Sequence, residues 1–257
     1  MQVLAMLDLN CPQTRQRLIS DRLVAGQPLI AAALAEELAI SVDTLRRDLI
    51  ALEQRGLLKR VRGGAVPVVP PLPPYAVRAE APEPALDLLA AAVVPMLQDA
   101  ATVFLDGGTT MNAVAAHLPD GFAGLIVTPA PSVALAALAR GARVHLIGGA
   151  LCPDGAMATG GAAERAIGLI AADLCLLGAC GLWPDFGLGA EDSTEAGVKR
   201  AMARASARVA VVAATSKLER RGRHQVLALE EIDLLVTDAE AAKMAPFRAA
   251  GIEVHHV

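Results

Sequence analysis

The chain of 257 residues carries a formal net charge of −4, with 54% hydrophobic, 19% charged and only 2% aromatic residues. This length leaves room for two domains with separate cores built from Ala, Val, Leu and Ile, and the composition excludes a disordered or fibrous chain. No run of about eighteen residues is apolar and free of proline and charge, and the N-terminus lacks the basic-then-apolar order of a signal peptide, so a cytoplasmic protein with no membrane partner is expected.

Three helical segments are predicted ahead of residue 66. The first spans about Gln13 to Val24, with Leu18, Ile19 and Leu23 as its apolar positions. The second, about Ile30 to Leu38, is rich in Ala and Leu and leads to Ser41, which can cap the third. On that third helix Val42, Leu45, Leu49 and Leu52 recur at helical spacing and make one apolar stripe. At about 100° per residue Arg47 points away from the stripe, Arg46 lies at its flank, and Asp43 and Thr44 face outward. Gly56 ends the helix, and LLKRVRGGAV then reads as a hairpin that turns at Gly63 and Gly64 and carries Lys59, Arg60 and Arg62.

Taken alone, Arg46 and Arg47 fit a solvated helix face, with Arg47 paired to Asp43 four residues earlier. Their neighbourhood favours a winged helix-turn-helix, in which the third helix enters the major groove of double-stranded DNA and the hairpin meets adjacent backbone. Between Pro12 and Val66 nine Lys or Arg face six Asp or Glu, which leaves +3 here and −7 elsewhere. Ser41, Asp43, Thr44, Arg46, Arg47, Lys59, Arg60, Arg62, Gly63 and Gly64 form the DNA-binding set of this reading. Arginine can pair bidentately with guanine for about 1–3 kcal/mol of discrimination, whereas phosphate contacts are sequence-blind and salt-sensitive.

Residues 67–84 hold seven of the sixteen prolines and read as a linker, since proline continues neither a helix nor a central strand. The expected division is therefore a DNA-binding domain at 1–66, a linker at 67–84 and a second domain at 85–257. In the second domain short apolar runs (TVFL, LIVT, RVHLIG, DLCLLGA, RVAVVAA, DLLVTD, IEVHHV) alternate with helical stretches. That order predicts an α/β, doubly wound and largely parallel sheet that binds ligands at the carboxyl ends of its strands.

Asp106-Gly107-Gly108-Thr109-Thr110 follows the TVFL strand and opens a helix. Its glycines admit close approach, and helix-start amides with two hydroxyls can hold a phosphate, although the stretch is neither a Walker loop nor GxGxxG. Gly148 and Gly149 offer a second close-approach point. Asp192 and Glu195 can accept sugar hydroxyls, while Lys199 or Lys217 neutralises phosphate; a surface ion pair between Glu195 and Lys199 is the bland alternative. The four cysteines and five histidines show no metal-ligand spacing, so small buried thiols, no metal and no cofactor are expected.

The stretch LAEELAISVDTLRRDLIALEQRGLLKRVRGGAV resembles the N-terminal signature of DeoR-type bacterial transcription regulators. DGGTT, LIGGA, LGACG, EAGVKRAM and TSK (215–217) are similar, in the same order, to that family's C-terminal sensor. The resemblance implies a regulator, more often a repressor, of carbohydrate genes, whose DNA affinity answers to a phosphorylated sugar or related metabolite. It departs from the family at Thr128-Pro129-Ala130, where Thr-Asn-Ser is usual, at Ala214, where Asp is common, and at Arg62, where the wing usually has His. A homo-oligomer is expected, because one small module makes few DNA contacts. The alternative is a sugar-phosphate isomerase or transferase with an accessory N-terminal domain, with Glu195 or Asp192 as its proton-transfer group.

Overall fold

In a computed structural model of the protein, residues 11–24, 29–55, 57–67, 73–81 and 83–257 are described. They fall into two compact units, residues 1–70 and 71–257.

The first unit runs α1 (Pro12–Val24), β1 (Leu29–Ile30), α2 (Ala31–Glu37), α3 (Val42–Gln54), β2 (Leu58–Val61) and β3 (Gly64–Pro67). Its strands form an antiparallel sheet in the order β1-β3-β2, so the hairpin gains a short third strand that the sequence did not announce. Ile19, Leu34, Leu38, Leu45, Leu49, Leu52 and Leu58 make the core. Val42 leaves the predicted stripe and is 56% exposed. Side chains of a first turn lean toward the helix N-terminus and overshoot the core beneath it. Its place on the buried face is taken by Asp48, which Arg15 of α1 grips through Nε–Oδ2 at 2.7 Å. Gln16 adds a hydrogen bond to Oδ1 at 3.2 Å. The expected helix stop at Gly56 and the side chain of Leu23 lie outside the described residues.

The second unit begins inside the proline-rich stretch. Proline was expected to exclude a helix there, yet Tyr75–Glu80 form α4, because YAVRAE itself contains no proline and Pro74 stands at the N-cap, where a missing N–H does no harm. Residues 68–72 of the stretch are outside those described. Then come α5 (Ala85–Val93), β4 (Thr102–Leu105), α6 (Thr109–Ala116), β5 (Leu125–Thr128), α7 (Pro131–Ala139) and β6 (Arg143–Leu146). A hairpin of β7 (Ala150–Cys152) and β8 (Met157–Thr159) precedes α8 (Gly161–Ile167) and β9 (Ala172–Gly178). After β10 (Gly181–Trp183) and β11 (Gly187–Ala190), the chain continues through α9 (Ser193–Arg204), β12 (Ser206–Val212), β13 (His224–Leu227), β14 (Leu234–Thr237), α10 (Ala241–Ala249) and β15 (Glu253–His256).

Seven strands form one sheet in the order β15-β14-β12-β9-β4-β5-β6, and every neighbouring pair is parallel. Strands such as TVFL and LLVT are apolar but for one threonine each, because both faces of the sheet are covered. From β4 the order runs outward through β5 to β6, then restarts on the other side of β4 at β9 and runs outward again. The carboxyl ends of β4 and β9 therefore flank the point where the winding reverses, the place in such folds where a crevice opens for a ligand. The small antiparallel pieces, β7-β8 and β10-β11-β13, were not foreseen from the alternation of strand and helix.

Of the four thiols only Cys175 is fully buried; Cys11, Cys152 and Cys180 are partly exposed. Among the described residues no helix is long and apolar enough to cross a membrane, and no cluster of three His, Cys, Asp or Glu could hold a metal ion.

Candidate functional site

In the winged unit, the Ser41 hydroxyl caps α3 by accepting the Thr44 N–H at 3.1 Å and exchanging a 2.8 Å hydrogen bond with the Thr44 hydroxyl. Both hydroxyls are thereby occupied in holding the helix start. Asp43, Arg46 and Arg47 are exposed on α3, and Lys59 and Arg62 on the wing. Among the described residues, none of these four cations has an ion-pair partner, and the Asp43–Arg47 pair does not form. Arg46 and Arg62 line one cleft of about 290 Å³ between α3 and the wing.

Three members of the predicted set have other duties. Arg60, a wing cation of the DNA-binding set, is already paired: its Nε lies 2.6 Å from Glu53 Oε2 and its backbone N–H donates to Oε1 at 2.9 Å. Those two donors hold the Glu53 carboxyl below the usual range, the backbone N–H contributing most. Gly63 has φ +87°, which the turn requires, and its carbonyl accepts the Ala31 N–H. Gly64 is buried with the Leu29 carbonyl oxygen 1.8 Å from where a Cβ would stand. The glycine pair closes β1 onto β3.

The second unit collects several buried polar residues beyond the carboxyl ends of β4 and β9. Asp106 is wholly buried, and its Oδ2 accepts from the Gly178 N–H at 3.0 Å and from Lys199 Nζ at 2.5 Å. Lys199, 3% exposed, also donates to the Gly178 carbonyl at 3.0 Å and lies 3.3 Å from Glu195 Oε1. Of the two lysines expected to neutralise phosphate, Lys199 is thus the one already paired inside the chain. Burial opposes its charge, but Asp106 and Glu195 outweigh that and raise its pKa, so it stays protonated as the hub of a buried triad. The Glu195–Lys199 pair is thus real but internal, not a surface pair.

Asp106 Oδ1 and Glu195 Oε2 are buried without a hydrogen-bond partner. Buried polar atoms are usually satisfied, so these two oxygens stay open to a donor from outside the chain. The Glu195 carboxyl carbon stands 3.6 Å from the Cβ position of Gly155, whose carbonyl oxygen is 2.8 Å from the Cβ position of Gly107. Gly107 thereby lets the β7-β8 turn close over the loop, while Gly108, at φ +95°, turns the chain into α6 so that Thr109 and Thr110 open the helix. Cys180 donates to Glu195 Oε1 at 3.6 Å; burial pushes its thiol up to about 12, so it is no nucleophile.

Lys217 follows β12 in a 3-10 turn whose Thr215 N–H and hydroxyl both bind Asp238 Oδ1, at 2.6 and 3.0 Å. Asp238, from the end of β14, is the acid beside this turn, where the neighbouring Ala214 has none. Burial lowers the Lys217 pKa, and the Arg78 and Arg220 cations lower it further against the opposing pull of Glu83. Arg78 was not singled out in the sequence, although it is the one cation between residues 67 and 84. Its Nη1 is 4.0 Å from the Cβ position of Gly108.

Asp192 was read as a hydroxyl acceptor. One of its oxygens is committed as the N-cap of α9, accepting from Thr194 N–H at 2.8 Å, Glu195 N–H at 3.0 Å and the Thr194 hydroxyl at 2.5 Å. Those bonds, the Thr194 hydroxyl first, hold its carboxyl below the usual range. Gly148 and Gly149 are exposed at the root of the β7-β8 hairpin, where Gly149 packs near Thr159 and Ala158, and no described contact joins them to the buried triad.

Comparison with known proteins agrees with both halves. Residues 15–69 match the DeoR-like helix-turn-helix domain and residues 87–239 the DeoR C terminal sensor domain. The chain is 34% identical to the HTH-type transcriptional regulator GlpR of Haloferax volcanii, over 95% of this chain and 97% of that one. It is 34% identical to the transcriptional repressor AccR of Agrobacterium fabrum, over 90% and 91%. With the glycerol-3-phosphate regulon repressor of Escherichia coli it shares 30% identity, over 80% and 82%. The chain belongs to the DeoR family of DNA-binding transcriptional regulators, with a winged helix-turn-helix followed by an effector-sensing α/β domain.

Proposed function

We propose that this regulator is a homo-oligomeric cytoplasmic repressor of carbohydrate genes, released from or retained on its operator by a sugar phosphate, and that it turns over no substrate. The observation that carries the reading is the composition of the β4/β9 crevice. An anion-receptive helix start at Gly108–Thr110, with Lys217 nearby, lies in the same site as two buried carboxylates that each keep one oxygen unpaired. A phosphate suits the first part and hydroxyl donors suit the second, so a phosphorylated polyol satisfies both. The names of the relatives, among them a glycerol-3-phosphate regulon repressor, support the same class.

On the DNA side, Arg47 would read base edges, with Arg46 beside it, while Lys59 and Arg62 would hold phosphates. Thr128-Pro129-Ala130 bears on effector identity, because the Pro129 carbonyl accepts the Ala158 N–H and so joins β5 to the hairpin over the loop. Selection of bound genomic fragments by the purified protein, followed by competition with sugar phosphates, tests the proposal. Arg47→Ala should abolish preference for the recovered site while leaving sugar-phosphate binding intact, and Glu195→Gln should do the reverse. The unpaired Glu195 oxygen also admits a second reading as an isomerase base. Turnover of pentose or hexose phosphates that disappears in Glu195→Gln would establish the enzyme instead.

A further inference from the structure

Arg78 stands on α4, the first element of the sensor unit, and is half-buried. Its guanidinium is already aimed. Nε donates to the Pro73 carbonyl at 3.0 Å and Nη2 to the Asp154 carbonyl in the β7-β8 turn at 2.5 Å. A second tie, from the Tyr75 N–H to the Pro153 carbonyl at 3.1 Å, fixes the start of α4 to the same turn. Among the described residues Arg78 faces no carboxylate within ion-pair distance, and Nη1, the arm nearest Gly108, makes no hydrogen bond. A fixed planar fork with two nitrogens engaged by carbonyls and the third left toward a helix start is the arrangement in which arginine meets an anion. A second, independent observation in the same unit is that Asp106 Oδ1 and Glu195 Oε2, both nine-tenths or more buried, keep no hydrogen-bond partner.

We infer that Arg78 is a further effector-binding residue, which donates Nη1 to the ligand's phosphate and thereby fastens α4 and the β7-β8 turn over the occupied loop. The inference rests on the sugar-phosphate reading above and adds to it the means by which occupancy reaches the segment entering the sensor. An effector shifts an equilibrium only by its unequal affinity for two states. Here the preferred state is the one in which α4 is docked, because only then are the phosphate, the Asp154 carbonyl and the Pro73 carbonyl held by one guanidinium. Lysine cannot replace it: a single ammonium supplies charge to the anion but not three donors in a fixed plane.

The test uses the full chain, with inorganic phosphate as the probe at constant ionic strength. Phosphate affinity is followed by thermal shift, and order in α4 by hydrogen–deuterium exchange of peptides spanning residues 75–80. In the unmodified protein phosphate should raise Tm and slow exchange in those peptides. Arg78→Ala should weaken phosphate by about ten-fold or more, the scale of one charge-assisted hydrogen bond. Arg78→Lys should lose the exchange protection while keeping more affinity than Arg78→Ala. Thr110→Val, in the loop itself, separates the two readings. If phosphate does not bind, or binds equally well to Thr110→Val, the phosphate reading of the loop falls and the role of Arg78 with it. If Thr110→Val weakens phosphate but Arg78→Ala does not, the loop reading stands and Arg78 is excluded. Unchanged exchange at 75–80 on phosphate binding would overturn the fastening of α4.

Discussion

Lys199→Met is the sharpest perturbation of the sensor. The ammonium lies 2.5 Å from Asp106 and 3.3 Å from Glu195, and all three residues are almost fully buried. Removing one partner of a buried ion pair costs about 3–5 kcal/mol, because the charge left behind has lost both water and its counter-ion. Here two carboxylates are left together, which places the expected loss in the upper part of that range. For a unit the size of residues 71–257, about 3–5 kcal/mol corresponds to a Tm lowered by roughly 6–20 °C. The pH dependence fixes the cause. The folded-state pKa of Lys199 is raised, so its contribution is fully present below the ordinary lysine value of about 10.4 and is lost only as pH rises through the folded value. Across pH 5–8 the unmodified protein should therefore show no slope from this group. Differential scanning calorimetry at several pH values reads both effects. A Lys199→Met protein within about 1 kcal/mol of the parent at neutral pH would refute the buried-triad argument.

Lys217→Met should act in the opposite sense on stability. The folded pKa of Lys217 is lowered by burial and by its cationic neighbours, so its charge is a liability below that pKa and the liability shrinks as pH rises toward the ordinary lysine value. The variant is expected to melt higher than the parent at neutral pH without phosphate, to lose the phosphate-induced rise in Tm, and to converge with the parent in alkali. Gly64→Ala should cost about 3 kcal/mol, since the Leu29 carbonyl sits 1.8 Å from the new methyl and is backbone; circular dichroism of the winged unit and loss of DNA binding would report it. Ser41→Ala removes the α3 cap for about 1 kcal/mol, read as a drop of a few degrees in the melting of that unit.

The sequence carried the large periodic features because they are local. The α3 stripe, the basic hairpin and the run of parallel strands are each written within a dozen residues, and the loop at Asp106–Thr110 is visible because it follows a strand and opens a helix. What it did not carry are pairings across distance. Nothing near Lys199 in the chain announces Asp106, 93 positions earlier, as its closest partner, so its internal pairing is invisible in the sequence. Asp192 looked like a binding acid for the same reason that it is a cap: Ser, Asp and Thr at a helix start serve either purpose. Arg60 and Glu53 are seven positions apart on different elements, and only the fold of β2 against α3 brings them into contact. Arg78 was hidden by its surroundings, since seven prolines made the whole stretch read as a spacer.

The same pairings sharpen the question of how a chain of net charge −4 holds DNA. The excess of +3 between Pro12 and Val66 counts cations that are already committed. Arg15 is bound to Asp48, Arg22 to Glu37 and Arg60 to Glu53. On the α3 and wing surfaces, Arg46, Arg47, Lys59 and Arg62 remain exposed without an ion pair among the described residues. If each displaces one counter-ion, log K should fall against log salt with a slope of about −3.6 per module, from roughly −0.9 per neutralised phosphate. Two modules on one operator give about −7, and use of Arg47 on a base instead of a phosphate makes either value shallower by about one per module. Fluorescence anisotropy on a recovered operator over 50–300 mM salt measures the slope, and its value counts modules without a size measurement. Lys59→Ala should reduce it by about one per module with specificity preserved, whereas Arg60→Ala should leave it nearly unchanged because Glu53 already neutralises that guanidinium. An Arg60→Ala slope reduced as much as that of Lys59→Ala would mean that DNA outcompetes Glu53, and the static pairing would then misstate the charge the duplex meets.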